Sequence, residues 1–220
     1  MKALTKIFIA ASLSFFICGC GLSQPYPVIR SFTLELQGQQ LQAQQMQGQS
    51  KRETLSLKKP FVQVTASGSV ASYETRKLIH KVGPNELSED FYNEFTGMPA
   101  RMVADETARF LDSGPLAHAD RTVSLKGPDY VLELFLQTFH GDYTLPTPQA
   151  TVEVRFTFTD AKRGEAVLLA KTYRGACPIA AQGDAPSELV SALGSALTEI
   201  LTELQIDLKK AIDGGRKNAF

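Results

Sequence analysis

Residues 189–208 read LVSALGSALTEILTELQIDL, and their spacing decides what the rest of the chain is built against. Leu189, Val190, Leu193, Ala196, Leu197, Ile200, Leu201, Leu204 and Leu208 recur every three or four residues and fall on one stripe of a helix, with Ser191, Ser195, Thr198, Thr202 and Lys209 opposite. Asp184 or Ala185 is placed to cap it, Pro186 sits in its first turn, and Gly214-Gly215 read as its end. At roughly 1.5 to 3 kcal/mol per large buried side chain, the stripe is worth on the order of 10 to 20 kcal/mol of gross burial. It needs a sheet to pack on.

Upstream residues supply that sheet. Tyr130 to Phe139 sets Leu132, Leu134 and Leu136 on one face and Val131, Phe135 and Phe139, with Glu133 and Gln137, on the other, so it reads as a central strand. Thr151 to Thr159 alternates Val152, Val154, Phe156 and Phe158 with polar residues, which leaves one face wet. Asp160 to Glu165 is a hairpin loop, and Ala166 to Tyr173 returns antiparallel. Gly141-Asp142-Tyr143 has the composition of a turn.

Earlier still, Val28 to Leu36 alternates Phe32 and Leu34 with Ser31, Thr33 and Glu35 and predicts a first strand. Phe61, Val62 and Val64 mark a second, and Thr75 to Val82 a third, closed by Gly83-Pro84-Asn85. Pro99, Ala100, Val103, Thr107, Phe110 and Leu111 share a stripe at 100° per residue, which predicts a second amphipathic helix ended by Ser113-Gly114-Pro115. Its outer face carries Arg101, Asp105 and Arg109 at i, i+4 spacing, as for an ion-pair ladder. Between the first and second strands, eight of the fourteen residues in Gln37 to Ser50 are Gln, too few apolar groups to offset ordering entropy. Residues 37–50 therefore read as a loop.

The chain's first residues decide its compartment. Lys2 and Lys6 precede the largely apolar run Ile7 to Ile17, too short to span a bilayer and suited to a secretory signal. Ile17-Cys18-Gly19-Cys20 then has the form of a lipobox: an aliphatic residue three before the cut, a small residue, and a cysteine to take the lipid. Residues 1–19 read as a lipoprotein signal peptide, Cys20 as the lipidated residue, and 20–27, with Pro25 and Pro27, as a short tether. An ordinary cleaved signal is the alternative. Residue 21 is Gly rather than the Asp that suggests inner-membrane retention. The expected location is the outer membrane, facing the periplasm.

Charge and chemistry narrow the function. The chain has 23 basic and 23 acidic residues; without Lys2 and Lys6 the balance is 21 against 23. That is no nucleic-acid footprint. Once Cys18 is cleaved off and Cys20 acylated, Cys177 is the one remaining thiol, so no internal disulfide forms. His80, His118 and His140 have no metal-ligand spacing, and GxSxG, P-loop and GxGxxG motifs are absent. Glu133 and Glu153 read as rim charges rather than an acid and base pair. No metal, cofactor or enzymatic activity is expected.

Several stretches in a fixed order resemble one family. The lipobox and first strand are followed by YETRKLIHKVGPNELSEDFYNEFTGMPARMVADETARFLDSGP, then DYVLELFLQTFHGDY, ATVEVRFTFTD with LLAKTY, and the carboxy-terminal LVSALGSALTEILTELQIDL. Over residues 26 to 210 this is similar to the ABC-type transport auxiliary lipoproteins of PqiC and YmbA type. The chain departs from that pattern in having no Trp and in its Gln-rich insertion. The resemblance implies a noncatalytic partner of an ABC permease, its ATPase and a periplasmic protein with mammalian-cell-entry (MCE) domains, which move lipids or other hydrophobic molecules between membranes. It also implies a mixed α/β fold distantly like the amino-terminal domain of TolB.

The expectation is therefore one α/β domain over 28–213, a mixed, largely antiparallel sheet packed by two main helices, with 214–220 a tail. Further helix to cover the second sheet face would have to come from Glu86 to Phe95 or the Gln-rich stretch. Self-association is left open. Partner contact is assigned to Phe91, Tyr92 and Phe95, which precede the first helix among Glu89, Asp90 and Glu94. Two readings stand for them: Phe91 and Phe95 staple the helix entry to the core, or at least Tyr92 stays exposed as an anchor for the transporter. The alternative functions are a periplasmic lipid-binding carrier lipoprotein and an envelope hydrolase.

Overall fold

The computed structural model describes residues 28–36, 59–122 and 127–217. The signal, Cys20, the tether and the Gln-rich stretch lie outside the described residues.

Among the described residues the domain is one sheet of eight strands with two helices on one face. Its strands are β1 (Arg30–Phe32), β2 (Phe61–Ser69), β3 (Lys77–Gly83), β4 (Glu86–Phe95), β5 (His118–Asp120), β6 (Tyr130–Asp142), β7 (Gln149–Asp160) and β8 (Ala166–Pro178); its helices are α1 (Pro99–Ser113) and α2 (Ala185–Lys217). β6, β7 and β8 form a long antiparallel meander. The other edge of β6 is shared. β2 runs parallel along Tyr130–Leu136, the chain makes one 3-10 turn, Ala71–Tyr73, and β3 rejoins the same edge parallel at Gly141–Asp142. β5 extends the sheet beyond β2, while β4 and then β1 extend it beyond β3. The sheet is mixed and open.

Side-chain alternation explains the layering. Leu132, Leu134 and Leu136 face outward from the same side as their β7 partners Phe158, Phe156 and Val154, and all six are fully buried. α1 covers this face over β2, β5 and β6, α2 covers it over β7 and β8, and the two helices touch. The opposite face carries Glu133, Arg155, Thr157, Thr172 and Arg174, which need water rather than a cover. Among the described residues no helix covers it.

Several expectations change on the structure. A bulge between Leu136 and Thr138 inverts the alternation of β6, so Phe139 joins the leucines in the core, 5.5 Å from the Phe95 ring, and does not share a face with Phe135. Gly141-Asp142 is no turn but the end of β6, paired on both edges. Glycine is needed there for space: a Cβ at 141 would stand 2.7 Å from Tyr143 and 3.0 Å from Leu189. Glu86 to Phe95 is strand β4, not helix, because the turn after Gly83 folds it back antiparallel on β3. Helix α2 does not stop at Gly214-Gly215 but continues to Lys217; burial of Leu208 and Ile212 supports its last turns, and two glycines cost only about 1 kcal/mol each. The ladder on α1 is absent: Asp105 pairs with Arg121 at 3.2 Å, and Arg109 turns to the buried Glu106. Burial raises the Glu106 pKa, and the guanidinium opposes that rise.

The first strand is shorter than its pattern. Pairing ends at Phe32, yet Leu34 and Leu36 are buried, because this segment crosses α2. The crossing is made close by Gly194, where a side chain would overlap the Glu35 carbonyl oxygen. Arg30 gives both terminal nitrogens to Asp184, at 2.7 and 2.6 Å. Asp184 also accepts a backbone N–H from Ser187, so the helix cap is tied to the first strand.

Candidate functional site

An aromatic loop at the sheet edge is where chain logic and exposure coincide. Lys77 faces Glu94 and Ile79 faces Glu89, so a three-residue length of β3 is spanned by six residues of β4 and the surplus is thrown outward. The Asp90 side chain fixes the surplus. Its Oδ1 accepts the N–H groups of Tyr92 and Asn93 at 2.9 and 3.0 Å, and the Asn93 amide donates to both carboxylate oxygens at 3.0 Å. Lys77 Nζ donates to the Phe91 carbonyl at 3.3 Å, and His80 Nε2 lies 3.4 Å from Asp90 Oδ2. Partial burial would raise the Asp90 pKa, but these hydrogen bonds to the ionised form outweigh it and hold the group below its ordinary value.

The loop carries Phe91 and Tyr92 outward, 74% and 47% exposed, with their rings edge to face at 5.0 Å. Phe95 is 2% exposed and belongs to the core, so it drops out of any contact surface. Phe91 is equally no core staple. β1 runs parallel to β4 with Arg30 opposite Asn93, which brings the start of the described chain, Val28 and Ile29, to the same rim at 80% and 51% exposure. The aromatics were visible in the sequence; the rim made with Val28 and Ile29 was not, because it depends on a parallel pairing of residues some sixty positions apart.

The other candidates do not assemble. Glu133 faces Thr157, whereas Glu153 is bonded to Arg174 at 2.8 Å. His118 lies near Asp112, and His140 is buried against Tyr73, Nδ1 to hydroxyl 2.7 Å. Among the described residues no group of three metal-binding side chains forms. Cys177 is half-buried and free near the end of β8. Two surface clefts of about 380 and 370 Å³ are lined largely by polar groups, the first by Lys59, Asp129, Asp160, Lys162 and Arg163, the second by Ser67, Ser69, Glu74 and Arg101. A polar cluster that the sequence did not signal lies at the end of β6: Asp142 accepts from Lys81 at 2.9 Å and from the Thr144 hydroxyl, which hold its pKa at about 2.

No family model matches the chain, and neither does any curated protein. Solved structures do. A Xanthomonas campestris protein of family DUF330 superposes with a TM-score of 0.60 at 20% identity, over 87% of this chain and 97% of that one. The fold is that of the DUF330 structure. A second, uncharacterised protein gives 0.62 at 10% identity, over 82% and 99%. A Caulobacter crescentus protein described as a "putative lipoprotein" is more distant, 0.40 at 17% identity over 54% and 86%. The first two likenesses establish the fold.

Proposed function

We propose that the protein is a noncatalytic lipoprotein, anchored through Cys20 in the outer membrane and facing the periplasm, that serves an ABC/MCE-type system moving lipids or other hydrophobic molecules between membranes. The observation that carries this reading is the short route from the anchor to the domain. Seven residues separate Cys20 from Val28, so eight Cα-to-Cα steps, at most about 29 Å of chain, join them. Residues 28–36 are then fastened to the domain by β1, by Arg30 on Asp184 and by the burial of Leu34 and Leu36. The Gln-rich stretch follows Leu36, so it adds nothing to the reach of the anchor. A domain held this close suits a membrane-apposed transport component better than a carrier that crosses the periplasm.

The order of sequence stretches similar to the transport auxiliary lipoproteins supports the choice of system, and the fold is consistent with it. Affinity capture of the acylated protein after cross-linking in cells tests it. The expected result is recovery of an MCE-domain protein with its permease. Recovery of neither, from protein shown to be acylated, contradicts the transport role. Phospholipid bound one to one in native mass spectra would favour the carrier instead.

A further inference from the structure

We infer that Phe91 and Tyr92, with Val28 and Ile29 beside them, seat on the bilayer that holds the anchor, the two rings lying at the boundary between headgroups and acyl chains. The inference rests on the anchor at Cys20 proposed above. Val28 and Ile29 lead into the β1 residue paired with Asn93, Phe91 and Tyr92 immediately precede Asn93 in β4, and all four are exposed. Phe91 and Tyr92 are presented on a loop already fixed by Asp90 and Lys77, so insertion orders little that is not ordered. Two further observations name the occupant. Val28, at this rim, stands eight Cα-to-Cα steps after Cys20, so no more than about 29 Å of chain leads from it to the cysteine proposed to carry the lipid. Paired aromatics, one with a hydroxyl, also match the amphipathic boundary of a bilayer. Arg76 and Lys77 share Glu94, Arg30 is paired with Asp184, and the Asp90 carboxylate is taken up by hydrogen bonds within the loop, so the charges around the rim are close to balance. Seating is therefore apolar and should resist added salt.

The chain contains no Trp, so Phe91→Trp installs a single reporter at the tip. The acylated protein would be reconstituted into phosphatidylethanolamine and phosphatidylglycerol vesicles with brominated acyl chains, with the melting temperature and intact mass checked first. The expected result is a blue-shifted emission quenched by the brominated lipid, unchanged in high salt, and Tyr92→Trp should behave alike. Added to preformed vesicles, protein lacking both rings, Phe91→Ser with Tyr92→Ser, should partition at least about tenfold more weakly, one ring's worth of burial. An unquenched, solvent-like emission from protein whose mass shows the acyl chains overturns the inference and leaves the anchor standing. A mass without acyl chains refutes the anchor, and the added-vesicle arm then decides the seating alone. Protection of the reporter only when an MCE-domain protein is added makes the loop a protein-docking site and also overturns it.

Discussion

Gly194 of α2 lies backbone to backbone against Glu35, so closely that a Cβ at position 194 would overlap the Glu35 carbonyl oxygen. Neither partner can yield cheaply, since one is main chain in a buried helix and the other lies between the buried Leu34 and Leu36. Gly194→Ala should therefore cost about 1 to 3 kcal/mol, as overpacking does. It should act first on the crossing segment, seen as faster hydrogen exchange at Leu34 and Leu36. Wild-type melting and exchange would mean that this segment is not clamped.

The aromatic loop separates core from surface within five residues. Phe95→Ala should cost about 3 kcal/mol or more, because its ring is buried against Phe139. Phe91→Ala and Tyr92→Ala should each stay within about 0.5 kcal/mol, as exposed positions do. Denaturant titration of the three variants reads all three values. A large loss at Phe91 would mean that the loop packs inward.

The long elements were legible because one face of each is buried almost without exception: α2 from Leu189 to Leu208, β7 from Val152 to Phe158, and α1 from Pro99 to Leu111. β4 was not legible as strand or helix. Its Glu, Asp and Asn residues favour neither, and pairing with β3 and β1 decided the matter. The face of Phe139 was misread because alternation fails silently at a bulge, and Gln137 carries no mark of one. Gly141 looked like a turn because the sequence does not show Tyr143, Leu189 and Ile179 crowding it. For the site, the aromatic cluster was visible, but which of its members face water depended on the Asp90 turn.

Acid should destabilise the fold in two stages. Burial lowers the pKa of His140, so below its ordinary 6.5 the unfolded chain binds a proton that the folded chain refuses. That stability is complete above about 6.5 and is lost as pH falls through the lower folded value. Asp142 and Asp207 are held at about 2, chiefly by the Thr144 hydroxyl and by Lys171 respectively, against an ordinary 3.8. Their contribution is complete above about 4 and is lost as pH falls through about 2. Melting temperatures from pH 8 to 2 should show both declines. His140→Gln should flatten the first and Asp207→Asn reduce the second; a first decline unchanged by His140→Gln would exclude the histidine as its cause.

The most direct measurement of the central claim is the intact mass of the protein extracted from membranes. The account predicts a chain that begins at Cys20 and carries diacylglyceryl and amino-terminal acyl groups, and a Cys20→Ser protein that remains an uncleaved or mislocalised precursor without the lipid mass. A Cys20→Ser protein still processed at residue 20 and recovered with the outer membrane, or a wild-type chain of unmodified mass, would contradict it.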